Sequence, residues 1–322
     1  MLTKEDTYKI AFENIRKSLA EKQAQRDLML SAAYKANPRL SEIDMLLSKT
    51  GADIAVTALS KGKDGVEQLR KKASALAEEK NMLLKKAQVP EISYNCSICK
   101  DTGYASGKIC GCVKREAAAV MSAELSREMP LQSCRFDNFD LKYYSDKDSA
   151  DGQNPRRRMT AVFKLCREYA IGFSPEKSCN LLFMGDAGLG KTHLTLAIVS
   201  AVIEKGYMPV YASAGNLFSA IENEKFQSEG KGVYDSVLNC DLLVIDDLGT
   251  ELATSFTKSV LYNIINTRIL IRKPAIINTN LSMKQLEERY TPRVSSRLIG
   301  NYEGYKFLGK DIRQQKKLES IR

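Results

Sequence analysis

The run Gly185-Asp186-Ala187-Gly188-Leu189-Gly190-Lys191-Thr192 sets glycines, one ammonium and one hydroxyl in the spacing G-x-x-x-x-G-K-[ST], which suits the grip of a nucleotide's phosphates. The glycines let the backbone curl until its N–H groups and a helix N-terminus face the anion. Lys191 would neutralise the β and γ phosphates of ATP, and the Thr192 hydroxyl would ligate magnesium. His193, the only histidine, follows directly. It either packs the helix or lies against the nucleotide, and it leaves no histidine for a metal site elsewhere. A second acid is needed for the metal, and the apolar run Leu242-Leu243-Val244-Ile245 ends in Asp246-Asp247. By itself that pair is an ordinary strand-to-loop transition. Paired with the phosphate loop, Asp246 holds the magnesium shell and Asp247 polarises the attacking water.

A separate constellation is Cys96-x-x-Cys99 followed by Cys110-x-Cys112, with Gly103 and Gly107 in the turn between. Four thiolates so spaced fit a closed tetrahedral zinc site, and a closed site is structural because no position is left for water. A redox dithiol or an iron–sulfur cluster would use the same residue type, but no βαβ context surrounds the first pair. The remaining four, Cys134, Cys166, Cys179 and Cys240, are scattered singly and are expected to be buried or incidental thiols.

The elements that must position these groups follow from periodicity. The phosphate loop needs a strand before it, Asn180 to Met184, and a helix after it, Thr192 to Glu204. Further strand-like runs are Met208 to Tyr211, Leu242 to Ile245, Ala275 to Asn278 and Tyr305 to Leu308, with amphipathic helices between them. That alternation predicts an α/β fold with a parallel sheet covered on both faces. Residues 4 to about 88 carry Tyr8, Phe12, Ile15 and Leu19 at helical spacing and predict three helices, broken at Asn37-Pro38 and Lys61-Gly62-Lys63. They form either a self-contained bundle or an extended hairpin whose apolar stripe needs a partner. The polar stretch Tyr144 to Arg158 suits an exposed connector. The expected organisation is a helical region over residues 1–90, a zinc module over 91–130, a linker over 131–155 and an ATPase domain over 156–322.

GDAGLGKTHLTLAI, LLVIDDLGTE, PAIINTNLS and RVSSRL, in this order, resemble the bacterial helicase-loader group of AAA+ ATPases, the DnaC/DnaI type, to which the transposition ATPase IstB is also similar. The resemblance covers roughly residues 134 to 322, and the cysteine segment beside a helical N-terminus further resembles the DnaI-like loaders. It implies an AAA+ P-loop domain that hydrolyses ATP with magnesium. It also implies a DnaB-type hexameric replicative helicase as partner, loading onto single-stranded DNA at replication initiation or restart, and self-association through the ATPase domain. In the same sense Asn280 matches the sensor that positions the attacking water, and Arg297 matches an arginine finger reaching a neighbouring subunit's nucleotide, with Arg293 assisting. Arg313 falls where a second sensor arginine is expected, although the helical lid looks shortened. Asp247 stands where the wider class often has glutamate, which implies slow hydrolysis. An IstB-like transposition helper, binding double-stranded DNA and a transposase, is the alternative.

Between the second strand and Asp246, the aromatics Phe218, Phe226 and Tyr234 interleave with Lys225 and Lys231. In loaders the matching region resembles an insertion that contacts single-stranded DNA, and such groups suit stacking with backbone neutralisation. Aromatics at helical spacing also suit a core. From Arg293 onward eight basic residues face three acidic ones, and the whole 322-residue chain carries a net charge of +10, a balance that favours polyanions. With 43% hydrophobic and 27% charged residues, no membrane-spanning run and no secretory signal in MLTKEDTYKI, a cytoplasmic protein with no membrane contact is expected.

Overall fold

The computed structural model describes residues 4–60, 63–148, 152–226 and 232–320. These fall into two compact units, one spanning residues 12–110 and the other residues 111–322 together with the start of the chain. No helix among the described residues is long and apolar enough to cross a membrane.

The three predicted N-terminal helices form as α1 (Lys4–Ala36), α2 (Arg39–Ser60) and α3 (Lys63–Lys86). The predicted break at Lys61-Gly62 lies outside the described residues. Helices α2 and α3 run antiparallel: Arg39, at the start of α2, binds Glu79 near the end of α3 at 2.9 Å, and Lys80 binds Asp44 at 2.5 Å. Such half-exposed pairs set register more than stability, since each is worth no more than about 1 kcal/mol. Burial of Ala33, Leu40, Ile43 and Leu76 supplies the core of this unit. Leu28, Met45, Val56 and Met82 nonetheless stay exposed, at 74, 68, 65 and 60%.

The cysteine segment folds around a two-stranded antiparallel hairpin, β1 (Tyr104–Ala105) and β2 (Lys108–Ile109). Its turn places Ser106 and Gly107 at φ of 50° and 73°, the left-handed conformation that the tightest hairpin loops require. Helix α4 (Gly111–Glu128) follows. Residues 131–144, within the stretch expected as a linker, form three short 3-10 turns and end at Tyr144, which is fully buried.

Helix α5 (Pro155–Gly172), N-capped by the Asn154 side chain, leads into the α/β core. There β3 (Asn180–Met184), α6 (Lys191–Glu204), β4 (Pro209–Ser213), α7 (Ala214–Phe226), α8 (Val233–Asn239), β5 (Leu242–Leu248), α9 (Ser255–Leu270), β6 (Ala275–Thr279), α10 (Met283–Arg289), α11 (Pro292–Asn301), β7 (Tyr302–Lys306) and α12 (Ile312–Ser320) follow in turn. The five strands β3 to β7 make one parallel sheet in the order β4-β5-β6-β3-β7. This is an α/β architecture with a phosphate loop after one central strand, and β6 separates the phosphate-loop strand β3 from the acidic strand β5. Strands β5 and β6 are buried almost throughout, which is why their apolar runs were readable. The last strand starts three residues earlier than its predicted Tyr305 to Leu308 and stops at Lys306. As an edge strand it buries only Tyr302 well, so its sequence carries no strong apolar signal there.

Arg268, 1% exposed, donates to the carbonyls of Val237, Leu238, Cys240 and Pro274 at 2.8, 3.0, 3.2 and 2.6 Å. One guanidinium thereby satisfies the last turn of α8 and the entries to β5 and β6.

A candidate nucleotide site

The phosphate loop leaves β3 and opens α6 with Gly190 as N-cap at φ 89°. A Cβ at Gly190 would come within 2.9 Å of the Phe139 ring and 3.0 Å of the Tyr144 hydroxyl. At Gly188, φ 75°, it would fall 2.1 Å from an Asp311 carboxylate oxygen. Both positions therefore admit only glycine. The loop and the start of α6 line a cleft of about 390 Å³, within the range of roughly 300–1,000 Å³ typical of small-ligand sites. Ala187 through His193 contribute to its wall. Gly185 and Asp186 do not line it but lend their carbonyls, which accept the Lys191 ammonium at 2.5 and 2.8 Å.

The third acceptor of Lys191 is Asn280 Oδ1 at 2.6 Å. Lys191 is thus buried with all three of its protons directed, and burial pushes its pKa down while Asp247, Asp246 and Asp186 hold it up. An ammonium so placed beside a helix N-terminus fits a polyphosphate, whose oxygens would replace these acceptors.

Asp246 is 4% exposed and held from three directions. Its carboxylate accepts the Tyr211 hydroxyl, the Asn278 amide at 2.6 Å and the Asp247 N–H at 3.0 Å. Asn278 in turn accepts the Thr195 hydroxyl of α6 at 3.0 Å. A chain of hydrogen bonds thereby crosses β4, β5 and β6 to the phosphate-loop helix. Asp247 lines the cleft in a left-handed conformation, φ 52°, and burial together with the Asp246 carboxylate pushes its pKa up. Thr192 and Asp247 line the same cleft, and their oxygens, with those of the neighbouring Asp246, are donors of the type that magnesium requires.

Arg313, at the start of α12, lines the cleft, and its charge acts on both Lys191 and Asp247. Arg293 and Arg297 are exposed on α11, away from the cleft lining. His193 packs edge-on against Phe139, with ring centroids 5.3 Å apart, and its Nε2 meets the Arg135 carbonyl at 2.9 Å.

The front wall was missed from sequence. Cys134, Phe139 and Tyr143 line the cleft from residues expected as linker, with Pro130 just before them, and share it with Ile312 and Lys316 of α12. Tyr144 ties that wall to the loop by donating to the Leu189 carbonyl at 2.9 Å, and Phe139 stacks on Tyr144 and Phe163. The only available signal was an aromatic-rich run, Phe136, Phe139, Tyr143 and Tyr144, inside a polar stretch.

Comparison with known proteins finds likenesses over this domain. Residues 165–300 match the family described as IstB-like ATP binding protein. Over these residues the chain is similar to that family. The chain is 26% identical over 208 residues to the replicative helicase loader DnaC of Escherichia coli, a match covering 58% of this chain and 79% of that protein. It is 28% identical over 134 residues to the phage-like element PBSX protein XkdC of Bacillus subtilis, covering 39% of this chain and 50% of that one. A crystal structure of the DnaC helicase loader is 25% identical, with a TM-score of 0.45 over 54% of this chain and 98% of that one. The matched IstB-like segment contains the phosphate loop, Asp246, Asp247, Asn280 and Arg297 but not the front wall, Arg313 or the four clustered cysteines.

The second candidate site is the cysteine cluster. The sulfurs of Cys96, Cys99, Cys110 and Cys112 all lie within 4.8 Å of one another, and none forms a disulfide. Cys96 Sγ and Cys110 Sγ are 3.8 Å apart. A tetrahedron with metal–sulfur bonds of about 2.3 Å has edges of about 3.8 Å, so the set fits zinc. The Asp101 carboxylate accepts the backbone N–H groups of Asn95 and Cys96 at 2.8 Å each, shaping the first loop. Donation from the Cys99 amide lowers the Cys96 thiol to about 7, which favours the ligating thiolate. Of the other cysteines, Cys166 and Cys240 are buried, Cys134 is half-buried in the cleft wall and Cys179 is exposed.

In the segment weighed for DNA contact, Phe218 is 3% exposed and belongs to the core, and Tyr234 packs against that core. Lys225 sits over the Phe256 ring at 5.4 Å. The Phe226 side chain and Lys231 lie outside the described residues.

Proposed function

We propose that this chain is an ATP-dependent loader that binds a DnaB-type hexameric replicative helicase and places it on single-stranded DNA during replication initiation or restart. The observation that carries this reading is the similarity to the helicase loader DnaC over 79% of that protein's length, together with the cleft geometry. ATP enters with its triphosphate on the Gly185–Thr192 loop and its base against Phe139 and Ile312. Lys191 exchanges its carbonyl and Asn280 contacts for phosphate oxygens. Magnesium, held by Thr192 and Asp246, would neutralise charge on the transferring phosphoryl group. Asp247, with its raised pKa, accepts a proton from the attacking water while Asn280 orients that water. Arg313 stabilises the phosphates from the same chain, whereas Arg297, exposed on α11, acts on a neighbouring copy's nucleotide. Zinc in the four-cysteine knuckle is structural. The exposed Leu28, Met45, Val56 and Met82 offer the helicase an apolar surface of the kind that marks protein interaction sites. A cytoplasmic location accompanies this role.

The deciding experiment is affinity capture of the chain with a DnaB-type helicase in ATP and in ADP. Retention of the hexamer with ATP and its release with ADP is the expected result, and no retention in either nucleotide would sink the reading. The family match over residues 165–300 favours a second reading, a transposition helper that binds double-stranded DNA. Capture of a transposase and a preference for duplex over single strands would select it.

A further inference from the structure

The loop leaving β5 runs from the nucleotide cleft straight to the base of the helix that carries Arg297. Asp247 and Thr250 line the cleft, and the Thr250 hydroxyl donates to the Asp247 carbonyl at 2.9 Å. The next residue, Glu251, is only 8% exposed. One of its carboxylate oxygens accepts the Gly249 amide at 3.0 Å, and the other accepts the hydroxyl of Tyr290, itself 1% exposed. Arg289 donates to the Glu251 backbone carbonyl. These two partners are the last residue of α10 and the residue after it. Thr291 then caps α11, accepting the Val294 amide at 3.4 Å. The arginine helix therefore begins two residues beyond a buried clamp on the cleft loop.

A buried carboxylate is costly, and an apolar pair would hold a loop to a helix at less expense. What a carboxylate adds is direction, because charge-assisted hydrogen bonds fix the angle as well as the distance between their partners. Burial and the Glu251 carboxylate both raise the pKa of the Tyr290 hydroxyl, so it stays a donor. Beyond the clamp, α11 buries Val294, Ser295 and Leu298 and leaves Arg293 and Arg297 facing out. A change of angle at Tyr290 would thus be carried by a packed helix to those guanidinium groups.

We propose that Glu251 is a positioning residue which, through Tyr290, sets the attitude of α11 so that Arg297 meets the nucleotide of a neighbouring copy. This rests on the reading that Arg297 acts between copies. Glu251 touches neither nucleotide; it works on the copy that lends the arginine.

Mixed copies test it. A Lys191→Ala chain lends an arginine but has a disabled cleft, and an Arg297→Ala chain offers a cleft without its arginine, so their mixture hydrolyses ATP only across a shared boundary. Tyr290→Phe, which keeps the ring packing, is introduced into one chain or the other. In the arginine-lending chain it is expected to lower the mixture's kcat by about tenfold with KM for ATP unchanged, as misplacement of a catalytic group does. In the cleft-offering chain the same change leaves kcat within about twofold. Glu251→Gln in the lending chain, retaining one acceptor oxygen, gives a smaller loss and stands in should Tyr290→Phe fail to fold. An undiminished rate, or equal losses from either chain, overturns the assignment of Glu251 alone. Silence of the parent mixture removes the between-copies reading and this inference with it.

Discussion

At Asp246 a single carboxylate takes three donors from three directions, and Asn278 is the donor whose loss leaves most undone. Asn278→Ala takes one of the three donors from Asp246 and removes the acceptor of the buried Thr195 hydroxyl, at a cost of roughly 1–3 kcal/mol in folding. Since Asn278 lies behind the cleft, nucleotide affinity in that variant should stay near that of the parent. Hydrolysis should fall by on the order of a hundredfold as Asp246 loses its orientation. Equilibrium binding of a labelled ATP analogue beside phosphate release checks both halves. Sequence could expose Lys191, Thr192 and Asp246 because the phosphate loop and the acidic strand end are contiguous patterns. It could not expose Asn278, Tyr211 or Thr195, which converge only once β4, β5 and β6 lie side by side, and strand order leaves no local trace. Asn280 and Arg313 were placed by resemblance alone, and the fold brings both to the cleft lining.

At the scale of elements, the four-cysteine segment leaves Ile98, Tyr104 and Ile109 exposed, so on the proposed zinc reading the metal supplies most of its stability. Chelation of zinc, or Cys96→Ser, is expected to release residues 96–112 to protease at a cost of several kcal/mol, of the order seen when small zinc modules lose metal. Limited proteolysis alongside metal analysis measures this, and a protein that resists protease with no zinc bound would contradict it. Helices α1 to α3 and the buried strands were legible because their periodicities are long and strong. The edge strand β7 was misplaced because only Tyr302 is well buried there. The front wall between Pro130 and Tyr144 was missed because 3-10 turns have no apolar period, and their aromatics matter only through packing on Gly190.

For the whole molecule, the exposed position of Arg297 makes a sharp expectation. Arg297→Ala should bind ATP as the parent does and lose hydrolysis by about 10³-fold or more, the effect of removing an arginine supplied to a transferring phosphoryl group from outside. Phosphate release at saturating ATP reads this out, and unchanged turnover would refute the role. The net charge of +10 acts at the same scale, through long-range attraction of polyanions rather than any one contact. Of this level the sequence showed the charge and the sequence of modules, while the surface on which Arg297 sits emerged only from the packing of α11. The Tyr144 bond to Leu189 is one of several fastenings on the aromatic wall, beside the burial of the Tyr144 ring and the stack of Phe139 on Phe163. If ATP binds as proposed, its base lies behind that fastening, and ADP would leave no faster than the wall lets go.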